Sequence, residues 1–103
     1  MTSEAKIQLS DYGTDLSSRF IGVKVRRAVE GARDDVHVVD CSGVRTMSES
    51  FADELFGVLV LDYGTGWFRA HIRLEGASES VRVAILRAID ARMERTRTTG
   101  VQG

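Results

Sequence analysis

Asp40, Asp53 and Glu54 are the residues through which this chain could do acid–base or metal chemistry. Asp40 ends a β-branched run, and α/β folds open their ligand crevices beyond the carboxyl ends of strands. With Asp53 and Glu54 it could serve a small hydrolase or transferase as general acid, general base or ligand. The competing reading has Asp40 accepting loop amides while the other two serve a helix end. No glycine-rich phosphate loop, His pair or Ser/His/Asp spacing accompanies them, so neither a cofactor nor a metal is expected. His37 and Cys41 invite a thiol-nucleophile reading. They lie four residues apart along a strand and its exit, which does not make them face each other, and a small buried cysteine is the commoner state. Ser48 and Ser50 offer hydroxyls that can cap a helix or carry a phosphate.

Alternation and helical periodicity then supply the elements that hold these groups. Ala5, Ile7 and Leu9 alternate with Lys6, Gln8 and Ser10, the pattern of a half-buried strand. Asp11–Asp15 is turn chemistry. Ser17 or Ser18 caps a helix whose stripe is Ile21, Val25, Ala28, Val29 and Ala32, ended by Gly31 and Arg33-Asp34-Asp35. Arg19, Lys24, Arg26, Arg27 and Glu30 form its solvated side. Val36–Asp40, with little alternation, reads as a central strand covered on both faces. A loop over Cys41–Met47 turns at Gly43. A helix from about Phe51 to Asp62 follows, stopped by Tyr63-Gly64. Trp67–Leu74 alternates cleanly, with Phe68, Ala70, Ile72 and Leu74 on one face and Trp67, Arg69, His71 and Arg73 on the other. This predicts an edge strand. Ser78 caps a last helix with Val81, Ala84, Ile85, Ala88, Ile89 and Met93 inward. The arginines Arg87, Arg92, Arg95 and Arg97 read as its solvated face and the tail. Asp-Tyr-Gly-Thr occurs at Asp11–Thr14 and again at Asp62–Thr65; the flanks differ, so these are two similar turns, not a repeat.

The order β-α-β-α-β-α implies an α/β domain with a small, mainly parallel or mixed sheet packed by helices. It is assigned to residues 1–95, with 96–103 a flexible tail.

Within the second helix, Ser50 taken as the cap places Asp53 where a capping-box acid belongs, with Asp53 and Glu54 in the electropositive first turn. Phe51, Leu55, Val58 and Leu59 form its core stripe. Ser50, Asp53, Glu54 and Gly57 follow helical spacing on another face. A glycine inside a helix costs about 1 kcal/mol relative to alanine, and a close approach by another backbone explains Gly57.

Composition narrows the function. The chain has 103 residues, 43% hydrophobic and 28% charged, the range of one globular domain. Fourteen basic and 15 acidic residues leave a net charge of −1, against the positive excess of nucleic-acid modules. The Trp67, Arg69, His71, Arg73 stripe is of the kind that stacks on RNA bases, yet on a chain of this charge it reads as the wet face of an edge strand. With one cysteine, no intrachain disulfide or thiol-rich metal site can form. Met1–Lys6 lacks the layout of a secretion signal and no apolar stretch is long enough for a bilayer, so the expected place is the cytoplasm.

The run Asp40-Cys41-Ser42-Gly43-Val44, then Met47-Ser48-Glu49-Ser50-Phe51-Ala52-Asp53-Glu54-Leu55-Phe56-Gly57, resembles the signature of STAS-like domains, small relatives of the bacterial anti-anti-sigma factors. The resemblance spans roughly Lys6 to Ala91, and Ser50–Gly57 is its most specific part. It implies a signalling switch that docks a protein partner, of the histidine-kinase-type ATPase fold in the better-understood members, where phosphorylation of a serine at this helix start breaks the complex. On that pattern Met47 matches an apolar residue and Glu49 takes the place of the phosphorylated serine, with Ser48 and Ser50 on either side. A glutamate there is a fixed negative charge. A phosphate on Ser48 or Ser50 would gain about 0.3–1 kcal/mol from the helix end, offset by repulsion from Glu49, Asp53 and Glu54. The expected interaction surface is Ser42, Arg45, Glu49, Asp53, Glu54 and Gly57, on a non-enzymatic module without nucleic-acid or membrane partners. A homodimer pairing Trp67–Leu74 between copies is the third reading.

Overall fold

The structure, a computed structural model, describes the backbone of residues 3–102 and the side chains of residues 3–94. Three parallel strands form the sheet in the order β1-β3-β5: β1 (Glu4–Gln8), β3 (Val36–Asp40) and β5 (Ile72–Glu75). The first helix, α1 (Arg19–Glu30), is capped by Ser18, whose Oγ accepts the Ile21 N–H at 3.3 Å. The central helix begins as α2 (Glu49–Ala52), widens into a π turn (Asp53–Gly57) and continues as α3 (Val58–His71). The last helix, α4 (Glu79–Gln102), starts at the expected Ser78 cap, its Oγ 3.3 Å from the Val81 N–H. The loose tail expected over 96–103 falls on residues whose side chains lie outside the described ones.

The α/β class and the β-α-β-α-β-α order stand, with one addition. Asp15–Leu16 (β2) and Thr46–Met47 (β4) pair in parallel as a two-residue ribbon. Strands that short carry no periodic signal. The ribbon anchors the loop after β3 to the start of α1.

Register divides the sheet into two faces. Ala5, His37 and Ile72 are neighbours, as are Ile7, Val39 and Leu74; of these, Ile7, Val39, Ile72 and Leu74 pack into the core with Leu9, Val25, Val29, Phe51, Leu55, Phe56, Leu59, Val81 and Ile85. Lys6, Val38 and Arg73 share the opposite face. Val38 is buried there yet lies outside that core. Arg73 pairs with Glu4 at 3.6 Å and Lys6 with Asp40 at 3.5 Å, so long charged side chains from both edge strands shade the central one. The expected cover on both faces of β3 is thus a helical layer on one side and a charged ladder on the other.

The predicted strand Trp67–Leu74 is corrected most. Trp67 to His71 are helical and the strand begins at Ile72. Gly64 (φ 91°, ψ 163°) breaks α3 where the Tyr63-Gly64 stop was expected, and a second helical segment follows. Tyr63, Trp67 and His71 sit four residues apart, the Tyr63 ring tilted against Trp67 at 5.0 Å between centroids and Trp67 stacked on His71 at 5.1 Å. Trp67 donates its indole N–H to the Arg33 carbonyl at 3.2 Å. Three smaller expectations also change: Ala28 and Ala70 are exposed, and Met93 is 37% exposed instead of inward.

Candidate functional site

The loop after β3 is tied down at both ends. Asp40 accepts the Ser42 N–H at 2.9 Å, and that bond holds its carboxyl below the usual range. Arg45 grips Asp15 with two hydrogen bonds of 3.1 and 2.8 Å, and the Thr46 hydroxyl adds a third at 2.8 Å. Asp15 is lowered by the same contacts, the Arg45 hydrogen bond first. Ser42 and Arg45 face outward, while Cys41 is fully buried with its thiol pushed up to about 11, chiefly by burial. A thiol so protonated is no nucleophile. His37, also buried, bonds the Ala32 carbonyl through Nε2 at 2.8 Å.

Ser48, not Ser50, caps the central helix. Its N–H is held by the Leu16 carbonyl (2.9 Å) and its Oγ accepts the Phe51 N–H at 3.0 Å, while lying 3.5 Å from the Ser17 carbonyl. The ribbon keeps Ser48 extended, at ψ 157°, so the helix begins one residue later. Ser50 consequently stands inside the first turn, half-buried, its hydroxyl without a bond among the described residues. It lines a crevice of about 240 Å³ with Arg19, Glu49, Asp53, Arg87 and Ala88. Glu49 and Arg87 pair at 3.7 Å, both largely exposed, and divide this crevice from a groove of about 620 Å³ beside Met47, Ser80 and Val83.

One turn on, the acids are used internally. Arg92 donates Nε to Asp53 Oδ1 at 2.7 Å and Nη2 to Oδ2 at 2.8 Å, and these hydrogen bonds raise the Arg92 pKa above its ordinary value. Glu54 receives Arg19 at 3.0 Å and Arg26 at 3.2 Å; Arg26 also donates to the Glu54 carbonyl at 2.7 Å. Gly57 permits the first of these grips. A Cβ there would lie 2.6 Å from Asp53 Oδ1, 3.0 Å from Arg92 Cγ and 3.3 Å from the Ala88 carbonyl. The close backbone approach expected at Gly57 is that of α4. Gly22 does the same for α1, where a Cβ would lie 3.1 Å from Glu54 Cβ and 3.2 Å from the Phe51 carbonyl.

Of the expected site residues, Ser42, Arg45, Glu49 and Ser50 are on or at the surface, Ser48 is a cap, and Asp53, Glu54 and Gly57 hold helices together. Asp40 shares no hydrogen-bond or ion-pair partner with Asp53 or Glu54 among the described residues, and it is not part of the crevice that Asp53 lines. The aromatic-basic stripe does not exist as a face: Trp67 and His71 stack on a helix, Arg69 is exposed, and Arg73 belongs to the sheet. Among the described residues no three His, Cys, Asp or Glu side chains gather to hold a metal ion, and no helix is long and apolar enough to cross a membrane. Sequence reasoning missed Arg19, Arg26, Arg87 and Arg92, which it placed on solvated faces; Arg95 and Arg97 lie outside the described side chains. The signal was available in charge bookkeeping, since two adjacent acids at a helix start call for cations from whatever packs beside them.

No match was found among curated proteins, and none among solved structures. Residues 22–82, more than half of the chain, match a family described as a STAS-like domain of unknown function (DUF4325). The matched span runs from Gly22 to Arg82 and so contains both glycine approaches, the ribbon strand β4 and the whole central helix; the chain belongs to this family of STAS-like domains.

Proposed function

We propose that this chain is a non-enzymatic regulatory module that docks a protein partner through the loop and helix start spanning Ser42 to Ser50. The observation that carries this reading is the contrast at the helix start: Ser50, its hydroxyl unbonded among the described residues, and the largely exposed Glu49 open onto a crevice flanked by Arg19 and Arg87, while Ser48, Asp53 and Glu54 are engaged within the fold. Ser42 and Arg45 add exposed side chains on the preceding loop. The catalytic alternative asks Asp40, Asp53 and Glu54 to converge, and their separate ion pairs speak against it. The STAS-like description of the family fits a regulatory module, and the resemblance of the Ser50–Gly57 run to anti-anti-sigma factors would make the partner a kinase of the histidine-kinase-type ATPase fold. Ser50 is then the residue that phosphate would reach, since Ser48 is spent on capping; Arg19 and Arg87 would offset part of the repulsion from Glu49 and Asp53.

The test is affinity purification of the full chain from its host, with wild type, Ser50→Ala and Ser50→Glu compared and phosphopeptides mapped. Phosphate on Ser50 and not Ser48, with a kinase-fold partner retained by Ser50→Ala and lost by Ser50→Glu, is the expected outcome. Equal partner recovery with all three proteins would sink the reading.

A further inference from the structure

The central helix is gripped from two sides, by α1 at Gly22 and by α4 at Gly57. The sides of α1 and α4 turned away from it carry two apolar faces, the first with unpaired cations and the second with unpaired acids along its apolar stripe, bordered by Arg82 and Arg87. On α1, Phe20 is 76% exposed, the highest value among the large hydrophobic side chains of the described residues. It lines a shallow pocket with Val23, Lys24 and Arg27. Neither cation makes an ion pair among the described residues, although most other described cations do.

On α4, Val83, Leu86 and Met93 are 38%, 52% and 37% exposed. With Glu79 and Asp90 they fall on one line at alternating four- and three-residue steps, the spacing of a helix-pairing seam. Half of the six exposed large hydrophobic residues among the described residues thus lie on a single stripe of one helix. Glu79 and Asp90 are exposed and make no ion pair among the described residues.

We infer that these faces are the two halves of one head-to-tail contact between copies of this chain. The four-residue step from Phe20 to Lys24 equals that from Leu86 to Asp90. Phe20 of one copy laid on Leu86 of the next therefore brings Lys24 beside Asp90, with Arg27 one turn on, over Met93. Apolar surface meets apolar surface, and an unpaired cation meets an unpaired acid. Because the two faces differ, the contact is heterologous, and each copy keeps one free face of each kind. A membrane is the poorer occupant of the α1 face, since surface attraction of that kind draws on clusters of about 4–8 cations.

Sedimentation velocity on the full chain, from low micromolar to millimolar concentration, tests the contact with two exposed-site variants, Phe20→Glu and Leu86→Glu. Far-UV circular dichroism and a cooperative thermal transition check that each is folded. The weight-average mass of the wild type should rise with concentration and fall again with added salt. Each variant alone should associate at least about tenfold more weakly. An equimolar mixture of the two retains one intact pair of faces and should form dimers, at twice 11.4 kDa, and go no further. A wild-type mass fixed at that of the monomer overturns the contact, and pelleting of that monomer with phosphatidylglycerol vesicles would give the α1 face to lipid instead. A single variant that associates as well as wild type overturns it in favour of a symmetric pairing, and a mixture that stays monomeric overturns it outright.

Discussion

Two successive turns of the central helix carry acids of similar sequence appearance and put them to opposite uses. In the first turn, Glu49 is exposed and meets Arg87 loosely at 3.7 Å, with side-chain exposures of 68% and 70%. In the next, Asp53 is clasped by Arg92 at 2.7 Å, at 23% and 16%. Solvent decides the difference. An exposed pair gains little because water screens it, whereas a half-buried bidentate pair loses a great deal if one partner goes. An acidic helix face is therefore two regions, a surface and a strut, and the strut is what leaves the surface free to be held still.

The strut should break hardest at its tightest point. Gly57→Ala forces a methyl against Asp53 and the α4 backbone and should cost about 2–3 kcal/mol in urea-induced unfolding; a loss under about half a kcal/mol would mean that α4 moves aside freely. A double-mutant cycle with Asp53→Asn and Arg92→Met should return a coupling of about 1–2 kcal/mol, against about 0–0.5 for Glu49→Gln with Arg87→Met. Equal couplings would erase the distinction between the turns. Ser48→Ala should cost about 1 kcal/mol through the lost cap. Ser50→Ala, by the same measurement, should stay within about half a kcal/mol. Reversal of those two values would return the cap to Ser50.

Where the sequence was read correctly, a local rule and the tertiary fold agreed. Ser18 and Ser78 cap, Gly64 stops a helix, Val36–Asp40 is the central strand, and the cost of a mid-helix Gly57 is explained by a neighbour's approach. The misreadings have identifiable competitors. Ser48 and Ser50 both have the chemistry of a cap; the choice came from the ribbon, a contact between segments some thirty residues apart, which holds Ser48 extended. Trp67–Leu74 alternates well, but Tyr63, Trp67 and His71 also recur at helical spacing, and the two glycines at 64 and 66 masked that second pattern. The π turn leaves no trace in composition. It shifts the buried stripe, so that Phe51 and Leu55 are followed inward by Phe56, Leu59 and Val60, while Val58, expected inward, is only half-buried. The engagement of Asp53 and Glu54 needed partners from α1 and α4, which no local window contains.

The π turn has a consequence for changes in chain length. One surplus residue is accommodated between Asp53 and Gly57, where the helix widens instead of turning further. Deleting a single residue there would restore ordinary helical geometry and leave Leu59, Val60 and Tyr63 on their present side, with Tyr63 still directed to Glu30, whose carboxylate accepts its hydroxyl at 3.1 Å. Inserting one has no such slack to use and would swing them about 100° around the axis, away from the core. Between the Ser48 cap and the break at Gly64 the chain behaves as a ruler with one notch to spare: it can lose a residue at the π turn but cannot gain one.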